Sequence, residues 1–142
     1  MKTMLIVLTF FCLMLVSVNA QDVVITGNIT TNTELTANNT YLLKGLVRVQ
    51  SGATLTIQEG TKIYGANDGS PDPASALIIK PGGKLIANGT ELNPIILTSE
   101  FNRPGSSRLP TYGDWGGVII LGNAPINVPG GTAIIEGPGD SF

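Results

Sequence analysis

Apolar and polar residues alternate along most of the chain in short runs separated by glycine, asparagine or proline. Arg48 stands between Val47 and Val49, and Leu55 and Ile57 alternate with threonines. Period-two alternation of β-branched residues predicts half-buried strands. After the first twenty residues no stretch keeps a helical period, and the glycines and prolines would interrupt any helix longer than about ten residues. The chain is therefore predicted to be all-β.

The strand-like runs recur in one order, as three copies of a single unit. The copies cover residues 46–65, 77–97 and 118–137, and each holds three short runs joined at Gly, Asn or Pro corners. Since the unit restarts rather than reversing through tight hairpins, strands of successive copies would pair in parallel as stacked coils. This order predicts a parallel β-helix of about five coils, right-handed as parallel crossovers generally are.

Equivalent positions in the copies predict three columns of inward side chains. The columns are Leu55, Leu85 and Ile126; Val49, Ile79 and Ile120; and Ile63, Ile95 and Ile134. Residues 21–45 form a weaker copy, whose inward residues would be Val23, Ile25, Ile29 and Leu35. We expect this copy to be the first coil or an N-terminal cap, since an open end would expose unpaired strand edges.

Two polar segments rich in proline and glycine interrupt the predicted coils of residues 46–142. They are residues 66–75 and 100–114. Insertions of this kind become loops on one side of a stacked-coil protein, and that side is often the binding face.

The first twenty residues have the features of a secretory signal peptide. Lys2 precedes an apolar run from Met4 to Val16, and the small residue Ala20 ends a short polar stretch. The run is too short for a membrane-spanning helix, and no later segment is longer. We therefore expect cleavage between Ala20 and Gln21, a secreted or cell-surface location, and no membrane span in the mature chain.

Two runs resemble a known family. They are GDWGGVIILGNAPIN at 113–127, followed by IIEG at 134–137, and VQSGATLTIQEGT at 49–61. Both are similar to the secreted or cell-surface parallel β-helix proteins of Bacteroidetes. The resemblance implies a structural or adhesive role in a longer protein with further coils and a C-terminal sorting domain. We accordingly expect the 142 residues to be a fragment of a larger surface protein.

The composition narrows the possible chemistry. Only 13% of the residues are charged, the formal net charge is −2, and there is no histidine. The sparse charge argues against a nucleic-acid partner, and the lack of histidine excludes Ser-His and Cys-His pairs and histidine-ligated metals. The one cysteine, Cys12, lies in the apolar run, so the mature chain would form no disulfide. No cofactor is expected.

Carboxylates are the catalytic groups that remain. Asp114, Glu136 and Asp140 lie near one another in the sequence, and Arg103 and Arg108 precede them. No pair of them shares a strand at the i, i+2 spacing that would place both on one face. We therefore predict no catalytic residue. The polar loop 67–72 lacks the ligand pattern of a calcium loop, and no metal site is predicted either.

Three residues near the second insertion are candidates for ligand binding: Tyr112, Asp114 and Trp115. Exposed aromatic rings could stack on a sugar, whereas Trp115 could instead pack against the coil edge and Asp114 could form a corner hydrogen bond. The sequence thus favours a non-enzymatic structural or adhesive module that contacts a surface polysaccharide or another cell-surface protein. The alternative is the N-terminal fragment of an extracellular polysaccharide lyase or hydrolase.

Overall fold

The computed structural model describes residues 21–67 and 74–140. The expected signal peptide and residues 68–73 of the first insertion lie outside them. The described part contains one short 3-10 turn, Glu100–Asn102, and nine strands. The strands are β1 Gln21–Ile29, β2 Thr33–Leu35, β3 Asn39–Val49, β4 Thr54–Ile57, β5 Lys62–Gly65, β6 Ala76–Ile79, β7 Lys84–Ala87, β8 Ile96–Ser99 and β9 Gly117–Ile120.

Every strand pair is parallel, and the strands stack in layers. One sheet has the order β8-β5-β3-β6-β9, with β1 also paired to β3, and the other has the order β2-β4-β7. The first half of β3 pairs with β5 and its second half with β6, so the first sheet supplies two faces. We call the β1-β3-β5-β8 rows the first face, the β1-β3-β6-β9 rows the second, and the β2-β4-β7 rows the third.

This arrangement confirms the parallel β-helix. The first face contains four strands one above another, so the described residues form four layers. The expected number of about five coils is not reached within them. The first layer, β1 and β2, stands where the cap or first coil was expected, and the predicted boundary after residue 45 falls inside β3.

Glycine makes the corner between the first and second faces in the first two layers. Gly27 and Gly45 both have φ +67°, a left-handed conformation that other residues adopt at a cost. The register between β1 and β3 shifts at this point, after Thr26 pairs with Lys44. The chain therefore turns this corner within a single strand, without a loop.

The inner core confirms part of the predicted columns. Leu55 pairs with Leu85, and Val49, Ile79 and Ile120 are in register on the second face. Inward packing of the weaker first copy is also confirmed, since its four predicted residues all join the main core cluster.

The column through Ile63 was predicted incorrectly. Ile63 pairs with Leu97, two residues beyond the predicted Ile95. A slip of two residues keeps the same strand face inward, so both Ile95 and Leu97 pack against the core.

The third copy leaves the stack after β9, so the predictions for Ile126 and Ile134 were wrong. Ile126 lies in no strand, and Ile134 is 72% exposed. Residues 121–140, which we call the strap, instead pack on the outer side of the second face. Ile135 of the strap joins an outer cluster centred on Ile78, which has no exposed surface although it alternates with inward residues.

Candidate functional site

The candidate site lies at the corner between the first and second faces. In the third layer the chain turns this corner through residues 66–75, and in the fourth layer through residues 100–116, which we call the corner loop. Because these layers are adjacent, the two insertions emerge next to each other. They replace the glycine bends that make the same corner in the first two layers.

Asn67 joins the two insertions. Its backbone N–H donates to Oε1 of Glu100 at 2.5 Å, and its side-chain amide donates to Oδ1 of Asp114 at 3.1 Å. Both acceptors belong to the corner loop. One residue of the first insertion therefore binds the second insertion near each of its ends.

Asp114 organises the corner loop from the inside. Its carboxylate is buried, and Arg108 donates to both oxygens, with Nη1 lying 2.9 Å from Oδ2. The backbone N–H and the hydroxyl of Thr111 donate to Oδ2 at 2.6 and 3.2 Å. The hydrogen bond from Arg108 is the main reason why the pKa of Asp114 is held far below its usual range, and those from Thr111 add to it. Asp114 is therefore ionised at neutral pH.

Two arginines of the corner loop lie over aromatic rings. The guanidinium of Arg108 is 3.5 Å from the centre of the Phe101 ring, and that of Arg103 is 4.3 Å from the centre of the Tyr64 ring. Tyr64 belongs to β5 and is only 6% exposed. The Arg103–Tyr64 contact therefore attaches the corner loop to the outer side of the first face, whereas the Arg108–Phe101 contact lies within the loop.

Trp115 anchors the end of the corner loop to the sheet. Its indole lies so close to Gly65 of β5 that a side chain at position 65 would overlap it. Gly116 is constrained less tightly, since a Cβ there would lie 3.0 Å from Cβ of Ala76. Among the described residues, no acceptor lies within hydrogen-bonding distance of the buried indole Nε1. The absence of side chains at positions 65 and 116 thus lets the Trp115 ring and the Gly116 backbone lie close to the adjacent layer.

The three predicted binding residues are close in sequence but differ in environment. Asp114 is buried, Trp115 is half-buried, and Tyr112 is fully exposed. Leu109, which lies between Arg108 and Asp114 in the sequence, is also largely exposed. The first half of the corner loop lines a shallow cavity of about 220 Å³, formed by residues 100, 101 and 103–107, which none of the three candidates lines. Tyr112 is the member of the three that is available to an external ligand.

The carboxylates considered for catalysis bind different partners. Asp114 pairs with Arg108 in the corner loop, whereas Asp140 pairs with Arg48 and Lys80 on the second face. Glu136 is an exposed turn residue of the strap. Within residues 21–67 and 74–140, no group of three or more His, Cys, Asp or Glu is placed to hold a metal ion. The same residues include no helix long and apolar enough to cross a membrane.

The sequence interpretation missed the residues that hold the site together. Asn67, Phe101 and Tyr64 were not singled out, because each is an ordinary loop or strand residue in the linear pattern. The available signal was the recurrence of both insertions after corresponding strands, β5 and β8, which places them at one corner. The side-chain partners within that corner depend on loop conformation, which no periodicity encodes.

Stacked parallel strands on three faces, with long loops at one corner, define a solenoid domain of the β-helix class. The family of pectate-lyase-like β-helix domains matches residues 27–140, and the chain belongs to this family. No curated protein and no solved structure matches the chain significantly.

Proposed function

We propose that this chain is a secreted, non-enzymatic structural or adhesive β-helix module that presents its corner loop as a contact surface. The assignment to bacterial cell-surface proteins of the Bacteroidetes type, and to a larger parent protein, is part of this proposal. The observation that carries it is the corner itself, where Asn67 binds the corner loop near both of its ends and Tyr112 of that loop is fully exposed.

The charges of the corner support binding rather than catalysis. A general acid or base must exchange a proton near neutral pH, and its pKa must lie near that range. The pKa of Asp114 is shifted in the opposite direction, mainly by the hydrogen bond from Arg108. A carboxylate in this environment fixes the loop and does not transfer protons.

A rigid loop also favours binding on entropic grounds. The corner loop has only one short turn of regular structure, yet Asp114, Phe101 and Trp115 fix it at three points. A loop that is ordered before binding loses less conformational entropy when a ligand binds. Exposed tyrosine provides a large contact area with few rotatable bonds.

The test is binding to a panel of neutral and acidic polysaccharides, measured by affinity electrophoresis and calorimetry. We expect binding without any change in the polymer, and loss of binding in Tyr112→Ala with an unchanged melting temperature. Leu92→Ala, at an apolar residue that is 90% exposed and lies outside both insertions, serves as the control. An adhesive role would be contradicted if the chain bound neither any of these polymers nor a preparation of bacterial cell-surface polysaccharides and proteins.

The family description favours one alternative, the N-terminal part of an extracellular polysaccharide-degrading enzyme. New reducing ends or unsaturated uronate products, released by the purified chain from the same polymers, would establish that alternative. Under the main proposal neither product forms.

Export is tested separately by mass spectrometry of the protein recovered outside the cell. We expect the first residue of the exported chain to be Gln21. Replacement of Leu8 by arginine within the apolar run should block export, and recovery of an intact Met1 outside the cell would contradict the predicted cleavage.

A further inference from the structure

We propose that the strap, residues 121–140, opens as a unit while the β-helix stays folded, and that Asp140 is the latch that keeps it closed. Opening would uncover an apolar strip on the outer side of the second face. This inference is independent of the function proposed for the corner loop.

The strip under the strap is unusual for a coil exterior. Outward positions of β6 and β9 are Ala76, Ile78 and Ile119, where solvated strands normally carry polar residues. Ala76 and Ile78 are 2% and 0% exposed. They form one buried cluster with Leu121 of the strap, against which Ile135 of the strap and the sheet residues Leu46 and Ile119 pack. The strap therefore supplies part of the cover of this strip.

The strap is attached to the helix at few points. Its first residue continues from β9, with Leu121 N–H donating to the carbonyl of Ile79 at 2.9 Å. Between this point and Ile135 most of its residues are exposed. Its own hydrogen bonds close local turns, including Ile135 N–H to the carbonyl of Asp140 at 2.9 Å. A segment with so few buried contacts belongs to the low-stability end of a protein.

Asp140 fixes the far end of the strap across two layers. Its carboxylate lies 3.0 Å from Nη2 of Arg48, on β3 of the second layer. It also lies 2.9 Å from Nζ of Lys80, which follows β6 in the third layer. The Asp140 side chain is 6% exposed, and the two cations are 26% and 21% exposed. A buried, doubly paired carboxylate is costly to leave half-paired, which makes this contact a latch.

The chain offers a direct measurement of opening. In a Cys12→Ser background, Ile78→Cys places a thiol under the strap, and Ile79→Cys places one in the inner core beside it. Both native side chains are almost wholly buried, but only position 78 depends on the strap. We expect a thiol reagent at neutral pH to label position 78 at least about tenfold faster than position 79, because the former needs only local opening.

Variants then identify the latch. Asp140→Asn should increase the labelling rate at position 78 by about tenfold or more, because it weakens the closed strap. Ile135→Ala, which removes packing rather than charge, should act in the same direction. Ile57→Val, in the inner core away from the strap, should accelerate labelling at position 79 but not at position 78, because it affects only unfolding of the whole fold. Glu136→Gln, at an exposed position of the strap, should change neither rate. Far-ultraviolet circular dichroism checks that each variant is folded.

Three results would overturn the inference. Equal labelling rates at positions 78 and 79 would show that the strap opens only with the whole fold. Acceleration of position 78 by Ile57→Val as large as that of position 79 would show that position 78 is exposed only when the whole fold opens. No acceleration at position 78 in Asp140→Asn would show that Asp140 is not the latch.

Discussion

The corner loop and the strap have a similar construction. Each is an excursion from the coils that returns over an outer face, and each covers a side chain there, Tyr64 in one case and Ile78 in the other. Each also buries one aspartate paired with cations, Asp114 or Asp140. Two unrelated segments thus use the same combination of apolar cover and buried carboxylate.

The origin of the cations separates the two segments. Asp114 is paired with Arg108, six positions away in the same loop. Asp140 is paired with Arg48 and Lys80, which are 92 and 60 positions away. The local pair shapes the corner loop, whereas the long-range pairs hold the strap to the body of the helix. The Arg108–Asp114 pair can therefore persist if the corner loop moves, whereas opening of the strap must break both ion pairs of Asp140.

The largest effect is expected from shortening the side chain under the strap. Ile78→Ala should lower the free energy of unfolding by about 2–5 kcal/mol, since it leaves a cavity between sheet and strap. Ile120→Ala is the matched control: it points inward but is 68% exposed in the last layer, so it should have little effect. Denaturant titration measures both. A larger effect at position 120 than at position 78 would contradict the packing of the strap.

A side chain at position 65 should have the next largest effect. Gly65→Val would displace Trp115 and lower the free energy of unfolding by about 1–3 kcal/mol. Gly122→Ala is the control, because its added Cβ would meet nothing closer than 3.9 Å. Thermal unfolding, with tryptophan fluorescence to follow Trp115, tests this. An unchanged fluorescence spectrum in Gly65→Val would contradict the position of the ring.

Acid should release the strap. Burial by itself would raise the pKa of Asp140, but hydrogen bonds from Arg48 and Lys80 outweigh it and the pKa is lowered. The closed strap is therefore favoured at pH values above the ordinary aspartate pKa of about 4, and this contribution is lost as the pH falls through the lowered value. Methyl NMR signals of Ile78 and Ile135 should shift together on acidification. In Asp140→Asn, a shift of the same size would show that another group is responsible.

The smallest effect, confined to one loop, is expected from Asp114→Asn. Losing the carboxylate should loosen Arg108, so trypsin should cut the Arg108–Leu109 bond faster while thiol labelling at position 78 stays unchanged. Asp140→Asn should show the reverse pattern. Faster cleavage in both variants would mean that the corner loop and the strap open together, and would contradict the view that separate ion pairs hold them.

The sequence by itself determined the strands, their parallel stacking and most of the inner core. Period-two runs such as Leu55 and Ile57, repeated in one order, admit few arrangements other than stacked coils. It also located both insertions and named Tyr112 among the candidates for ligand binding. These features are local or repeat along the chain, so a linear pattern can carry them.

The position of the last copy depends on contacts that form only in the folded protein. Ile134 and Ile135 are both strand-like residues, and the pattern cannot distinguish a fifth coil from a segment packed outside. The choice depends on the outward strip at Ile78 and on Arg48 and Lys80, which are far away in the sequence. The same holds for Asn67, because its partners in the corner loop are 33 and 47 positions away. Contacts between distant residues of irregular segments have no period, and they exist only once the layers have stacked.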